Sequence, residues 1–159
     1  MDKITVNLWF NYNAEEAAQF YVSLFPDSRI DAVHRSASDN PSTKKGDVLI
    51  VQFTLMGRAY TGVNGGPQFP FTEAISLEIN CNDQAEVDHY WNRLIADGGS
   101  PVQCGWCRDK FGLSWQVVPK RLGELLSSPD RQAAERVMLA MLQMVKLDVA
   151  ALEAAFAGK

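Results

Sequence analysis

The chain repeats itself, and that constrains its fold more than any other feature. Leu8 to Tyr21, LWFNYNAEEAAQFY, lies above Leu77 to Tyr90, LEINCNDQAEVDHY, at a shift of 69 positions. Leu8 then meets Leu77, Phe10 meets Ile79, Asn11 meets Asn80, Asn13 meets Asn82 and Tyr21 meets Tyr90. Each copy reads as a strand, an Asn-rich turn and a helix. Asn13 and Asn82 are the expected helix caps, because a short polar side chain can accept from backbone N–H groups that have no intrahelical partner. Apolar residues recur at spacings of three and four: Ala14, Ala17, Ala18, Tyr21 and Leu24, then Val87, Tyr90, Trp91 and Leu94. A second correspondence, at a shift of 55, sets Gly57, Tyr60, Thr61 and Val63 against Gly112, Trp115, Gln116 and Val118. The segments after each helix are strand-like: SRIDAVHRS, DVLIVQFTL and RAYTGVN, then PVQCGW and LSWQVVP. Ser36 to Gly46 reads as a flexible loop. A unit this short cannot bury its apolar face alone, so two copies are expected to pair.

Composition excludes some partners. The net charge is −4 and no basic run is longer than Lys44-Lys45, so nucleic acid is not expected as a partner. The start, MDKITVNLWF, has neither signal-peptide nor membrane-span character, so no membrane is expected and the cytoplasm is the expected location. Three cysteines, an odd number, suit a reducing compartment better than a disulfide framework.

The last forty residues follow a different pattern. Ser128-Pro129-Asp130 reads as a helix start, with Ala134, Val137, Met138, Met141, Met144 and Val145 on one side. That stripe serves either an internal core or a subunit contact, since Met adapts to irregular surfaces. Asp148 is expected to cap a last helix ending near Gly158.

Cys104-Gly-Trp-Cys107 allows three readings. A redox dithiol belongs at a helix start, and this motif lies in a strand-like segment before a DKFG turn. Zinc would need two more ligands, and Cys81, His34 and His89 are the only other Cys or His residues, none at ligand spacing. The third reading is a strand carrying two thiols. Parity then puts Cys104 and Trp106 on one face and Gln103, Gly105 and Cys107 on the other. Cys104 is either a pocket nucleophile or a small packed hydrophobe.

The segments LWFNYNAEEAAQFYVSLFPDSRI, NGGPQFPFTEAISLEINC, VDHYWNRLIADGG, QCGWCRDKFGLSWQVVP and RVMLAMLQMVKLDVAALEAAF together resemble the PhnB-like family. That family also carries the label 3-demethylubiquinone-9 3-methyltransferase domain. It belongs to the vicinal oxygen chelate, or glyoxalase/bleomycin-resistance/dioxygenase, superfamily. The resemblance implies an α+β fold of two βαβββ modules in pseudo-twofold arrangement, forming an open half-barrel around a concave pocket, plus C-terminal helices. It implies one domain over 1–119, with modules 1–66 and 67–119, an extension over 120–159, and a homodimer. The label's methyl transfer has no support in the residues: no Gly-rich turn joins a parallel strand to a helix, and Asn64 to Pro67, NGGP, reads as a linker turn.

Metal-using members of the superfamily take ligands from the first and last strand of each module. At the two shifts these positions fall on Thr5 and Ala74, and on Thr61 and Gln116. None is His, Asp or Glu, so no metal and no cofactor are expected. Strand parity places Ile4, Val6, Leu8 and Phe10 toward the helix, and Thr5, Asn7 and Trp9 toward the pocket. It likewise buries Leu49, Val51, Phe53 and Leu55, leaving Val48, Ile50, Gln52 and Thr54 inside. The expected ligand-binding set is Thr5, Asn7, Trp9, Gln52, Thr54, Thr61, Cys104, Trp106, Ser114 and Gln116. Such a neutral lining suits an uncharged or weakly polar small molecule. Glu78 is the one carboxylate worth testing as a base. The expected function is metal-independent small-molecule binding. The alternative is an enzyme of the same superfamily acting on a small organic substrate.

Overall fold

A computed structural model describes residues 3–159, in two compact units, one ending at Phe71 and the other spanning Thr72–Lys159. The first unit runs β1 (Val6–Phe10), α1 (Ala14–Leu24), β2 (Arg29–Arg35), β3 (Val48–Leu55) and β4 (Arg58–Asn64). Its sheet has the order β1-β4-β3-β2, with β1 parallel to β4 and the other pairs antiparallel. The second unit repeats this connectivity with β5 (Ser76–Cys81), α2 (Gln84–Leu94), β6 (Ser100–Pro101), β7 (Trp106–Arg108) and β8 (Ser114–Pro119). Its sheet order is β5-β8-β7-β6, again with one parallel pair, β5 and β8. Three helices follow: α3 (Lys120–Leu126), α4 (Arg131–Met141) and α5 (Val149–Phe156). The repeat is therefore one of topology, and the fold is α+β.

The register corrects the shift of 69. Leu8 and Phe10 are buried on β1, and their counterparts on β5 are Ile79 and Cys81, a shift of 71. Buried Tyr21 and Leu24 correspond to buried Trp91 and Leu94, a shift of 70. The cause is turn length. Three residues separate β1 from α1 and two separate β5 from α2. Matching Asn with Asn and Tyr with Tyr followed residue identity rather than position in the fold.

The caps move for the same reason. Asp83, not Asn82, caps α2, accepting from the Glu86 N–H at 3.0 Å. Asn13 stands before α1 without a side-chain cap bond; Asn64, at the end of β4, accepts from the Ala14 N–H at 2.9 Å instead. In the extension Asp130 rather than Ser128 caps α4, accepting from the Ala133 N–H, and Ser128 Oγ accepts from the Asp130 N–H. Asp148 caps α5, as the sequence predicts.

The first core joins Leu8, Phe10, Ala14, Ala17, Ala18, Tyr21, Val51, Phe53 and Leu55, with Phe53 stacked on Tyr60 at 5.6 Å. Ile4 and Val6, expected in it, are 88% and 41% exposed. Parity assigns a side of the sheet, but burial also needs an element packed over that point. The loop expected to be flexible is bonded internally: Ser36 pairs with Thr43, and Asn40 Nδ2 donates to both hydroxyls.

The second core includes Ile79, Cys81, Val87, Trp91, Leu94, Cys107, Trp115 and Val117, and continues into the extension. There Leu122, Leu125, Val137, Leu147 and Leu152 cluster, with Val118, Leu126, Met141, Met144 and Phe156 packed against them. The methionine stripe is thus split. Met141 and Met144 serve the core, whereas Met138 and Val145 are 41% and 40% exposed. Among the described residues no helix is long and apolar enough to cross a membrane.

Candidate functional site

Opposite each helix-packed core, the sheet presents a face of mixed polar and apolar side chains. In the first unit, register aligns Asn7, Thr61, Gln52 and Ala32 in one row across four strands. Trp9, Val63, Ile50 and His34 form the next row. The sequence-derived residues Asn7, Trp9, Gln52, Thr54 and Thr61 therefore share one face, and Thr5 stands half-buried just before β1. Several already have protein partners. Gln52 Oε1 lies 3.1 Å from His34 Nε2. The register shifts by one between Ile30 and Ala32, a bulge at Asp31, and Thr54 Oγ1 donates to Asp31 at 2.6 Å. Trp9 donates its indole N–H to the Gly66 carbonyl at 2.8 Å and meets Phe69 edge-on at 5.0 Å. A Cβ at Gly65 would fall 1.9 Å from the Trp9 ring, so glycine is what lets that segment lie on the indole.

In the second unit the rows are Ser76, Ser114 and Arg108, and Glu78, Gln116 and Trp106. Ser114, Gln116 and Trp106 therefore share a face, as expected from parity. Gln116 Nε2 donates to Ser76 Oγ at 3.0 Å. Arg108 forms an ion pair with Glu73. Ser114 is 1% exposed, and its Oγ has no hydrogen-bond partner among the described residues. Register also replaces both expected first-strand positions, Thr5 as well as Ala74. Asn7 faces Thr61 in the first unit, and Glu78 faces Gln116 in the second. The first-strand counterpart beside Gln116 is thus the exposed Glu78, not Ala74, which precedes β5.

Cys104 is not on a strand. It sits in a turn with φ +59, followed by Gly105 at φ +82, and β7 starts only at Trp106. The parity argument for Cys104 therefore fails. The turn is pinned from the extension: the Cys104 and Gly105 N–H groups donate to the Met144 and Val145 carbonyls, each at 2.8 Å. Cys107 is buried on the core face opposite Trp115. Burial, with Asp109 adding to it, pushes its thiol up to about 12. Burial pushes Cys81 up to about 12 as well, with Glu86 and Asp83 contributing. Neither is a thiolate near neutral pH.

The sequence reading missed Asp109. It is 2% exposed and accepts from the Phe111 and Leu113 N–H groups and from the Trp115 indole, at 2.8, 3.1 and 2.8 Å. Its place before the Lys-Phe-Gly turn is the signal that could have found it. A separate cleft of about 420 Å³ opens beside the start of α1, near Tyr12, Glu15, Glu16 and Asp47. It contains none of the expected ligand-binding set, although Val48, which parity placed inside the pocket, and Asn13, the expected cap, line it.

Two βαβββ modules with the same strand order, followed by three helices, are the α+β architecture that the repeat predicts. The chain belongs to the 3-demethylubiquinone-9 3-methyltransferase family, whose model matches residues 2–118. The PhnB protein of Bacillus cereus is 34% identical, with a TM-score of 0.66, and the match covers 74% of this chain and 99% of that one. The Pseudomonas aeruginosa protein PA1353 shares the fold at 23% identity and TM-score 0.61, over 75% of this chain and 98% of the other. A search of curated proteins returns no match.

The divalent ion that the resemblance to the vicinal oxygen chelate superfamily implies does not fit the residues present. Asn7 and Thr61 offer the first unit an amide and a hydroxyl, and Glu78 and Gln116 offer the second one carboxylate and one amide. A catalytic cation site needs about three protein ligands with anionic or imidazole donors. Among the described residues no three His, Cys, Asp or Glu side chains gather as such a site requires.

Proposed function

We propose that the protein binds a small organic molecule, without a metal ion, on a sheet face opposite a helix-packed core. One observation carries this reading: the rows Asn7–Thr61–Gln52 and Ser76–Ser114 align neutral amides and hydroxyls on adjacent strands. Such rows hold a ligand by directed hydrogen bonds. Methyl transfer draws no support from the two strand-to-helix turns, Asn11-Tyr12-Asn13 and Asn82-Asp83, which lack the glycines that a nucleotide-type donor needs for close backbone approach. Three unpaired cysteines suit a reducing cytoplasm, and a homodimer is the expected assembly.

A thermal-shift screen of small organic molecules tests the reading. A ligand at a hundred times its Kd adds about 2.7 kcal/mol to stability. The shift should vanish in a Gln52→Leu, Gln116→Leu double variant. A screen without stabilising compounds, or shifts unchanged in that variant, refutes it. Glu78 favours a second reading, in which the face performs proton abstraction, because its carboxylate lies beside Gln116 and is exposed. Glu78→Gln would then abolish turnover while leaving binding intact.

A further inference from the structure

The second sheet face carries a charge that strand parity alone did not place there. Arg108 ends β7 in register with Ser114, and Ser114 is in register with Ser76. Their side chains lie in one row, with neighbouring strands about 4.8 Å apart. Ser76 Oγ accepts from Gln116, so its oxygen is engaged. Ser114 Oγ is buried and without a partner among the described residues. A buried hydroxyl left unsatisfied keeps its desolvation penalty uncompensated, and among the described residues Ser114 Oγ is the only buried side-chain nitrogen or oxygen in that state. Its cross-strand neighbour Arg108 already holds a carboxylate, that of Glu73. Both partners of that pair are about half exposed, which makes it weak and exchangeable.

From this juxtaposition we infer that the face is a subsite for the carboxylate of a small organic acid, and that Glu73 occupies Arg108 as an internal stand-in. The incoming carboxylate displaces Glu73 and pairs with the guanidinium, and only with that displacement does it reach Ser114 Oγ, buried in the free chain, and accept from it. Guanidinium and carboxylate geometries match, and a charge-assisted bond to a dry site is worth more than one in water. Trp106 lies on the same face two residues from Arg108, half-buried, and gives an apolar or aromatic body a surface to rest on. This names the ligand class of the binding reading above and rests on it. It also departs from the uncharged ligand expected from the neutral lining.

The test is a titration of the full chain with benzoate and with benzamide, its uncharged analogue, followed by NMR chemical shifts. Benzoate should bind the wild-type chain more tightly than benzamide. Glu73→Gln, an exposed change that leaves the fold intact, should tighten benzoate roughly tenfold and leave benzamide unchanged. Arg108→Gln should erase the preference for benzoate, and Arg108→Lys should restore part of it. Ser114→Ala should weaken benzoate several-fold. Equal affinities for the two compounds, or no effect of Glu73→Gln, overturn the inference. A neutral compound that binds this face and is lost in Gln116→Leu would at the same time leave the broader binding reading standing. Binding of neither probe overturns the inference, and the thermal-shift screen then decides the broader reading.

Discussion

Asn64 does two jobs at one position. Its Oδ1 accepts from the first N–H of α1 and its Nδ2 donates to the Val48 carbonyl at 2.9 Å, all with the side chain 4% exposed. Asn64→Ala should therefore cost about 1–3 kcal/mol in urea denaturation, because it strands the buried Ala14 donor and the half-buried Val48 acceptor. Asn13→Ala should cost far less, since that side chain makes no cap bond. The cysteines give a second expectation. Cys81 and Cys107 are buried, with thiols raised to about 12, while Cys104 is half-buried in its turn. Iodoacetamide at pH 8 should modify the folded chain once, at Cys104, and the unfolded chain three times, read by mass spectrometry. The two raised thiols also set a sign. The unfolded chain loses these protons from about 9.0 upward and the folded chain keeps them until about 12, so stability falls as pH rises through that window. None of this was legible from residue type. Parity separated Cys104 from Cys107, but only the tertiary structure shows Cys104 in a turn off the strand and Cys107 in the core.

The strands and first helices were legible because their periods are local. DVLIVQFTL and RAYTGVN became β3 and β4, and the apolar spacing of both copies became α1 and α2. Their edges were less legible. Caps depend on which neighbour reaches the helix end, and Asn82, which looks like a cap, is used otherwise: its amide donates to Glu86 and accepts from Lys120 Nζ. Asp83→Ala should cost about 1 kcal/mol of stability, and Asn82→Ala less, by chemical denaturation. The short helix α3 escaped the sequence reading altogether, because it buries only Leu122 and Leu125, two apolar positions that make no sustained period. In the extension the two readings of the methionine stripe separate by position. Met141→Glu puts a charge against the Leu122, Val137 and Leu147 cluster and should destabilise the chain by about 2 kcal/mol or more. Met138→Glu, at a 41% exposed site, should leave the melting temperature of a monomer unchanged.

At the scale of the whole molecule, the family model ends at residue 118 and the C-terminal helices lie beyond it. They are built into the second unit rather than appended to it. Leu147 is buried against Gly105, where an added Cβ would lie 2.9 Å from Leu147 Cδ1. Gln84 of α2 donates to the Leu147 carbonyl and accepts from the Val149 N–H, and Lys146 pairs with Asp88. A chain truncated after Pro119 keeps every residue that the family model matches and should fold, but with a lowered melting temperature and a loosened Cys104–Gly105 turn, visible as faster amide exchange there. What the sequence by itself determined was the repetition of one strand-helix-strand unit and the sidedness of its long strands. Periodicity is a property of neighbours along the chain and survives without any knowledge of what packs where. Only the tertiary structure decided the register between strands: Glu78 beside Gln116 in place of Ala74, Ser114 buried beside Arg108, and Cys104 off the strand. Register is set by turn lengths and by contacts between residues far apart in sequence, and a slip of two residues preserves the alternation while changing every partner.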